Sequence, residues 1–448
     1  MNAQLIDHYD DPHHFEPLLP GAHLMGPLLE RAGDLTRAAT ALGASIGGSV
    51  SGSVSESTGT QTELRALLRS MNSYYTNRIE GEHTRPSDIE RALQQDFSAN
   101  ADLARKQRLA VAHIQTEAAC EAELSARAAE GHDVGRLLYA PAALCWLHGR
   151  LFSRLSAVDL KLSDGKSLIP GELRQRAVAV GRHEPPTAAS LPRFLARWQN
   201  VYAGVRRGEE AVVALAAAHH RLAWMHPFLD GNGRVARLHT HLALHAAGLT
   251  QGLWSPLRGF ARSEARYKAL LQAADEHRRG ALDGRGNLTQ AGLLDWIHYT
   301  LDLCIDQTQF MAAQLSVQGM QARIAAALAF EENTLQSGVR REALLPLHYL
   351  FMTQGELGRA EFKLMTGLGE RVATDLLSAL LDQGFVASDT PYGKLRFAIP
   401  RHALRFYFPT LWPEAEQDEA LLQQERQRLP AADRPRSSRR VPRRGAAG

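Results

Sequence analysis

The sequence predicts a mainly α-helical protein that carries two small β elements. Apolar residues recur at three- and four-residue steps in most segments, as at Leu64, Leu67 and Leu68, which is the spacing of one buried helix face. Two stretches break this pattern, because β-branched and aromatic residues flanked by glycine or proline occupy residues 178–183 and 385–399. Each stretch predicts a short hairpin in an otherwise helical chain.

Length and composition limit the classes of protein to consider. The chain has 448 residues, 44% of them hydrophobic, which is enough for two or three domains with buried cores. Its three cysteines, Cys120, Cys145 and Cys304, form no CxxC pair. This argues against a disulfide framework and a zinc site, and it favours a reducing, cytoplasmic location. No apolar run is long enough for a membrane span, so no membrane association is expected.

The N-terminal part is predicted to be an arm over residues 1–60. Prolines make residues 1–20 look extended, residues 24–42 have helical spacing, and the glycine- and serine-rich residues 43–59 predict a mobile loop. Further helices are predicted at residues 61–80, 85–130, 140–155, 211–224, 233–244, 255–274 and 288–315.

A separate C-terminal unit is predicted over residues 340–412. Three short helices at residues 344–352, 360–366 and 370–383 precede the hairpin of residues 385–399. This order is typical of a winged helix-turn-helix domain, a fold that often binds DNA.

The charges of this unit do not favour DNA binding. Arg371 on the third helix is accompanied by Glu370, Asp375 and Asp382, a poor surface for contacting phosphates. We therefore favour a role in protein contact or packing. The tail of residues 413–448 contains six arginines between Arg434 and Arg444, without which the rest of the chain is slightly acidic, and it is predicted to be disordered.

The stretch His226-Pro-Phe-Leu-Asp-Gly-Asn-Gly-Arg-Val-Ala-Arg237 has the chemistry of an anion site. Pro227 ends the preceding helix, because proline lacks an N–H and restricts the residue before it. Gly231 and Gly233 leave no side chain between the backbone and a bound anion. A new helix begins near Gly233, and the free N–H groups of its first turn favour negative charge.

The charged side chains of this stretch complete the prediction. Arg234 and Arg237 are three residues apart and can supply bidentate hydrogen bonds to phosphate. Asp230 is a hard oxygen ligand suited to Mg²⁺. His226 has an ordinary pKa suited to proton abstraction near neutral pH.

These residues resemble the signature HPFx(D/E)GNGRxxR of the Fic family, with every defining position present. The resemblance runs over roughly residues 20–320, and we expect a Fic domain over residues 61–320. It implies a Fic-type helical bundle in which His226 is the general base and Asp230 holds Mg²⁺.

The same resemblance assigns the nucleotide contacts within the motif. Asn232 and the amides of Gly231 and Gly233 would stabilise charge on the α-phosphate of ATP. Arg234 and Arg237 would orient the β- and γ-phosphates.

A second motif, Thr76-Asn77-Arg78-Ile79-Glu80-Gly81, ends the predicted helix 61–81. It resembles the inhibitory motif (S/T)xxxE(G/N) of Fic proteins. The resemblance implies that Glu80 pairs with Arg237 and stops the γ-phosphate from settling productively. This inhibition is physically reasonable. A carboxylate bonded to Arg237 occupies a group that would otherwise bind phosphate, and its negative charge repels the polyanionic ATP.

The predicted hairpin lies within residues 174–187, which resemble the Fic flap. The resemblance implies that the exposed edge of the flap holds a segment of the target protein by strand addition. It also places Val180, Gly181, Arg182 and His183 against the nucleotide.

The segment Arg266-Tyr267-Lys268-Ala269-Leu270 resembles the Tyr-Tyr-x-Ala-Leu segment of the family. An aromatic residue of that segment packs near the base or ribose, which would place Arg266 and Tyr267 at the nucleotide. Arg266 replaces the first tyrosine, and Ala274 stands where some members have an asparagine.

The resemblance implies a protein adenylyltransferase that moves AMP from MgATP to a Ser, Thr or Tyr hydroxyl of a target protein. Two alternative reactions could use the same site: removal of AMP from a target, and transfer of a phosphate or another nucleotide group. A nucleotide-sensing DNA-binding regulator is the alternative from another class. A homodimer is also open, since such proteins often dimerise.

Overall fold

The computed structural model describes residues 10–45, 59–162, 164–181, 183–205 and 208–413. Most of these residues are helical, which confirms the predicted fold class. The helices are α1 (Met25–Ser45), α2 (Gly59–Ile79), α3 (Pro86–Leu93), α4 (Ala101–Ala129), α5 (Val134–Leu137), α6 (Pro141–Phe152), α7 (Leu191–Tyr202), α8 (Glu209–Met225), α9 (Asn232–Ala246), α10 (Leu257–Arg262), α11 (Glu264–Asp275), α12 (Gln290–Gln314), α13 (Val317–Phe330), α14 (Leu344–Thr353), α15 (Arg359–Met365), α16 (Glu370–Asp382) and α17 (Leu404–Tyr407). Among the described residues, no helix combines the length and apolar content needed to cross a membrane.

Helix α8 lies at the centre of the helical bundle. Its alanine- and valine-rich sequence is buried on nearly all sides, as expected of a helix surrounded by others. Helices α1, α7, α9 and α12 pack around it. The Trp296 indole N–H of α12 donates a hydrogen bond to the Ala216 carbonyl of α8 at 2.7 Å, which fixes the two helices against each other.

The N-terminal residues are part of this core, and the prediction of an extended arm is wrong for residues 12–15. Residues Pro12–Phe15 form a 3₁₀ turn, because the Asp11 side chain accepts a hydrogen bond from the His13 N–H at 2.9 Å and proline suits the first position of the turn. Phe15 is fully buried. Of the predicted loop 43–59, residues 46–58 lie outside the described residues, as does the tail from residue 414.

Helix α2 confirms the helix predicted over residues 61–81, although it ends at Ile79. It packs against α4 and α10. Gly81 follows with φ +77°, a left-handed conformation that glycine adopts at helix ends. The end of α2 therefore presents Glu80 at a fixed position.

The C-terminal unit has the helices and hairpin that the sequence predicts. Strands β2 (Val386–Ala387) and β3 (Leu395–Phe397) pair in antiparallel register, with Val386 opposite Phe397. A third strand, β1 (Glu356–Leu357), pairs with the other edge of β3. Strand β1 is not predicted from the sequence, because a two-residue strand has no recognisable period. Assignment of the unit to the winged helix-turn-helix class stays a prediction.

The C-terminal unit contacts helix α2. The Tyr75 hydroxyl donates to the Leu411 carbonyl at 3.0 Å, and Arg396 of β3 forms an ion pair with Glu63 at 3.4 Å. Arg258 of α10 donates to the Thr410 carbonyl at 3.1 Å. The segment after α17 thus bridges α2 and α10.

Candidate functional site

A cleft of about 1180 Å³ opens where α2, α8, α9 and α11 meet the hairpin. Nine of the residues predicted for the site line it: Glu80, Val180, Gly181, His183, His226, Asn232, Gly233, Arg237 and Tyr267. Asp230 and Arg234 line a smaller neighbouring cavity of about 40 Å³. Neither cavity is lined by Gly231 or Arg266. Arg182 lies outside the described residues.

His226 caps helix α8 in a left-handed conformation, with φ 47° and ψ 62°. This conformation is uncommon for a residue with a side chain. Arg174 supports it, because the buried guanidinium donates from Nε to the His226 carbonyl at 2.8 Å and contacts the Pro186 and Met225 carbonyls. The histidine is therefore held at the floor of the cleft from outside its own loop.

The imidazole of His226 is neutral at physiological pH. Burial lowers its pKa to about 4, although a hydrogen bond to the Ala223 backbone opposes the shift. A neutral imidazole can accept a proton, which is the form that a general base requires.

The loop after His226 is closed by the side chain of Asn232. Its Oδ1 accepts from the Phe228 N–H at 2.9 Å and its Nδ2 donates to the Phe228 carbonyl at 2.8 Å. Phe228 is fully buried and stacks on His148 with ring centroids 4.0 Å apart. Asn232 therefore shapes the loop, and its predicted contact with the α-phosphate remains a prediction.

His148 holds the loop from below. Its Nδ1 accepts from the Gly171 N–H at 2.8 Å, so Nε2 carries the proton and donates to the Asp230 carbonyl at 3.2 Å. The Asp230 side chain is exposed, and its Oδ1 accepts from the Gly231 N–H at 2.6 Å. The carboxylate fits the Mg²⁺ ligand that the motif implies, since it is a hard oxygen donor open to solvent.

Helix α9 starts at Asn232 and directs its first turn at the cleft. A β-carbon at Gly233 would collide with Glu80 Oε1 and would lie 2.9 Å from Arg237 Nη1, so a side chain there would displace the Glu80–Arg237 pair. The unpaired N–H groups of this turn and the two motif arginines make this wall electropositive.

Arg237 is buried and fully engaged. Its Nε donates to the Thr76 hydroxyl at 2.8 Å, and Nη2 donates to the Thr76 carbonyl at 3.2 Å and to Glu80 Oε1 at 2.5 Å. Tyr267 supplies a further hydrogen bond. Arg234 donates to Asn77 Oδ1 at 3.1 Å, so both arginines are tied to α2.

Glu80 thus reaches Arg237, as the inhibitory motif predicts. Burial would raise the pKa of Glu80, but the positive charges of Arg237 and Arg234 outweigh it and hold the pKa below its ordinary value. The carboxylate is ionised at neutral pH, and its side chain remains 29% exposed towards the cleft.

A series of hydrogen bonds, which is not predicted from the sequence, fixes the side chain of Tyr267. The Thr240 hydroxyl donates to the Ala236 carbonyl and accepts from His219 Nδ1 at 2.6 Å. His219 Nε2 then accepts from the Tyr267 hydroxyl at 3.1 Å, which leaves the Tyr267 oxygen to accept from Arg237. This series of hydrogen bonds orients the guanidinium from the core side.

Arg266, the neighbour of Tyr267, faces away from the cleft. Its guanidinium lies 5.3 Å from the centre of the Tyr299 ring. A nucleotide contact by Arg266 has no support in this arrangement, because side chains at consecutive helical positions face different directions.

The hairpin predicted near residues 178–183 consists of one antiparallel bridge. Val180 and His183 exchange both backbone hydrogen bonds at 2.9 and 3.0 Å, and Gly181 turns with φ +61°. His183 Nε2 donates to the Trp224 carbonyl at 2.7 Å, which fixes its ring at the cleft wall. Val180 is 42% exposed at the edge of the bridge.

Sequence reasoning missed Arg174, His148 and Lys268 as residues of the site. Arg174 and His148 act on the motif loop from positions 52 and 82 residues away in sequence, which no local pattern indicates. Lys268 lines the cleft beside Tyr267. The segment around Tyr267 could have indicated it, because a basic residue next to a cleft tyrosine suits an anionic ligand.

Known proteins resemble the central part of the chain. Residues 139–244 match the Fic/DOC family. A protein from Drosophila ananassae named Protein adenylyltransferase Fic is 33% identical over 107 residues, 24% of this chain and 20% of that protein. Its namesake from Drosophila grimshawi is 38% identical over 79 residues, 17% of this chain and 16% of that protein. The matched stretch spans about a fifth or less of these relatives.

Solved structures, two of which follow, show a weaker similarity that extends over a larger part of the chain. A Fic family protein from Desulfovibrio desulfuricans G20 is 16% identical with a TM-score of 0.44, covering 82% of this chain and 96% of that one. Fic-1 from C. elegans, residues 134–508, is 18% identical with a TM-score of 0.43, covering 65% of this chain and 75% of that one.

Proposed function

We propose that the protein is a protein adenylyltransferase held inactive by Glu80, a proposal supported by the match of residues 139–244 to the Fic/DOC family. The substrates would be ATP and a Ser, Thr or Tyr hydroxyl of a target protein. One observation carries the proposal: a neutral His226 and the positively charged wall made by α9 and Arg237 line the same cleft.

The reaction forms a bond between the target hydroxyl oxygen and the α-phosphorus of ATP. The bond from that phosphorus to the oxygen bridging to the β-phosphate breaks, and pyrophosphate leaves. His226 takes the hydroxyl proton. Positioning and electrostatic stabilisation supply most of the rate enhancement in such transfers.

The chain's own groups would divide the remaining work. The amides at the start of α9 would hold the α-phosphate, and Arg237 would orient the outer phosphates once Glu80 leaves it. Tyr267, fixed by its series of hydrogen bonds, keeps Arg237 at this wall. A magnesium ion bound to Asp230 would neutralise charge on the leaving phosphates.

The ion pair between Glu80 and Arg237 supports a resting state of low activity. Arg237 already has acceptors in Thr76, Glu80 and Tyr267, so a γ-phosphate must replace the carboxylate to reach it. Two negative groups cannot share this site without a large repulsion. Withdrawal of Glu80 is therefore the step that permits productive ATP binding.

The edge of the hairpin at Val180 is the proposed contact for the target. It is exposed beside the cleft that holds His226. An extended segment added there would present a hydroxyl towards the imidazole.

Removal of AMP is the second candidate, because Glu80 faces the same cleft and could place a water for attack on an AMP-modified target. Both reactions use His226 and Arg237. They differ in Glu80, which would block AMP transfer and would be required for AMP removal.

Intact mass spectrometry after incubation with MgATP tests the proposal. Glu80→Gly should gain the mass of one or more AMP groups by automodification, while wild type and Glu80→Gly/His226→Ala should gain none. Glu123→Gln is the control, because Glu123 is an exposed glutamate of α4 that pairs with Arg127 at 2.7 Å.

Adducts on the double variant would refute the role of His226. Equal adducts on wild type and Glu80→Gly would refute the inhibition. If no variant is modified, while wild type but not Glu80→Gly removes AMP from a modified peptide, the second candidate replaces the first.

A further inference from the structure

A buried polar cluster lies between α2, α4 and α9, away from the cleft. His113, Glu117 and Glu121 follow one another at four-residue steps on α4, so they share one helix face. His241 of α9 completes the cluster. The four side chains are between 0% and 8% exposed.

The distances within the cluster suit metal coordination better than direct hydrogen bonding. His241 Nε2 lies 3.4 Å from Glu117 Oε1 and 3.3 Å from Glu121 Oε1. A good N–H···O bond would be about 2.9 Å. Metal–ligand bonds of about 2.0–2.1 Å in a tetrahedron separate neighbouring ligand atoms by about 3.3–3.4 Å. The distances from His241 Nε2 to the two carboxylate oxygens agree with this expected separation of ligand atoms.

Several buried atoms of the cluster have no hydrogen-bond partner among the described residues. They are Asn72 Oδ1, His113 Nδ1, His113 Nε2, Glu117 Oε2 and His241 Nδ1. His113 Nδ1 points at the free carboxylate oxygen of Glu117, 3.6 Å away. Each unsatisfied buried polar group is costly, so a further species beside Glu117 and His113, such as a metal-bound water, would relieve part of this penalty.

We propose that Glu117, Glu121 and His241 bind a divalent transition-metal ion, best matched by Zn²⁺, with a water as the fourth ligand. Histidine nitrogen and carboxylate oxygen are ordinary zinc ligands, whereas Mg²⁺ and Ca²⁺ prefer oxygen alone. The missing CxxC pair argues against a zinc site with cysteine ligands, whereas the ligands of this site are one histidine and two glutamates.

The neighbouring side chains form a fitting outer shell. Arg69 donates to Glu121 Oε2 from Nε and Nη2 at 3.0 and 2.5 Å, and Asn72 donates to Glu117 Oε1 at 2.8 Å. Outer-shell hydrogen bonds of this kind orient carboxylate ligands. The alternative is a metal-free cluster in which Arg69 and a protonated His241 neutralise the two carboxylates.

The bound ion would hold α2 against α4 and α9. Arg69 and Asn72 belong to α2, and Thr76 on the next turn contacts Arg237. The ion would therefore be structural, one helical turn from the cleft, and its presence does not depend on the reaction proposed above.

Metal content of the purified full-length protein is the direct test. Cells are grown with added Zn²⁺, the protein is desalted without a chelator, and metals are measured by inductively coupled plasma mass spectrometry. Wild type should retain one zinc per chain, and Glu117→Gln should lose it. His226→Ala and Glu331→Gln should retain it, the first as a control for zinc in the cleft and the second for loss of another buried carboxylate.

Zinc absent from wild type, or retained equally by Glu117→Gln, would overturn the proposal. If Glu117→Gln does not fold, Co²⁺ replaces Zn²⁺ during growth of the His226→Ala variant. Visible absorption typical of four-coordinate Co²⁺, and a Tm raised by on the order of 5 °C over the metal-free protein, would support the site. An unchanged spectrum and an unchanged Tm would refute it.

Discussion

His226 must accept a proton, and its surroundings determine the pH range in which it can do so. Because burial lowers its pKa to about 4, the imidazole stays neutral above that value and becomes protonated only as the pH falls through it. Glu80 raises this pKa through its negative charge, so Glu80→Gly lowers the pKa further.

Automodification of Glu80→Gly should therefore be independent of pH between 8 and about 5.5. An ordinary histidine would lose about half of its activity near pH 6.5. Initial rates measured by mass spectrometry across this range check the prediction, with unfolding followed by circular dichroism at each pH. An inflection near 6.5 would contradict it.

The sequence indicates the residues of the motif loop but not the residues that hold them. Spacing within 226–237 is local, so the glycine turn, the start of α9 and the nearby arginines follow from the order of residues. Arg174, His148 and the hydrogen bonds from Thr240 to Tyr267 meet the loop only through the tertiary fold. Asn232 shows how far residue type alone can mislead. Asparagine suits a phosphate ligand, but in the fold its side-chain hydrogen bonds to Phe228 close the loop.

At the scale of elements, the long helices follow from apolar periodicity and the short strands do not. Helices α2, α8, α9 and α12 match their predicted ranges within a few residues. Strand β1 and the single bridge at the hairpin are too short to show a period of two. Helix α13 was also missed, since it directly continues the predicted helix after one capping residue, Ser316.

The C-terminal unit is predicted to help hold the inhibitory helix α2. Removing the Tyr75 hydroxyl and the Arg396 guanidinium deletes two contacts, worth about 1 kcal/mol each or less. In Tyr75→Phe/Arg396→Ala, with Glu80 intact, we expect AMP adducts to appear at a rate between those of wild type, which should show none, and Glu80→Gly. The increase reflects a larger fraction of molecules with Glu80 withdrawn.

Intact mass over time provides this measurement. Arg371→Ala is the matched control, because it removes an exposed arginine on α16 of the same unit. An unchanged rate in the double variant would show that the contacts pack the unit without influencing α2. A similar rise in Arg371→Ala would point to a general effect of the unit.

At the scale of the whole molecule, the N-terminal segment closes the core behind the cleft. Phe15 packs edge-on against Phe194 at 5.0 Å and against Trp224 at 5.6 Å. Arg221 of α8 donates from Nη2 to the Pro17 carbonyl at 2.7 Å. The proline-rich, polar sequence around Phe15 carries no signal for this role, since Phe15 has no periodic partner.

Phe15→Ala should therefore destabilise the protein by about 3–5 kcal/mol, the usual cost of removing a buried phenylalanine. The cavity would lie beside Trp224, whose carbonyl holds His183 at the cleft wall, so automodification of Glu80→Gly should also fall. Urea unfolding followed by tryptophan fluorescence measures the first effect. Leu282→Ala, at a fully exposed position, should change neither quantity, and equal stability of the two variants would mean that the segment does not close the core in solution.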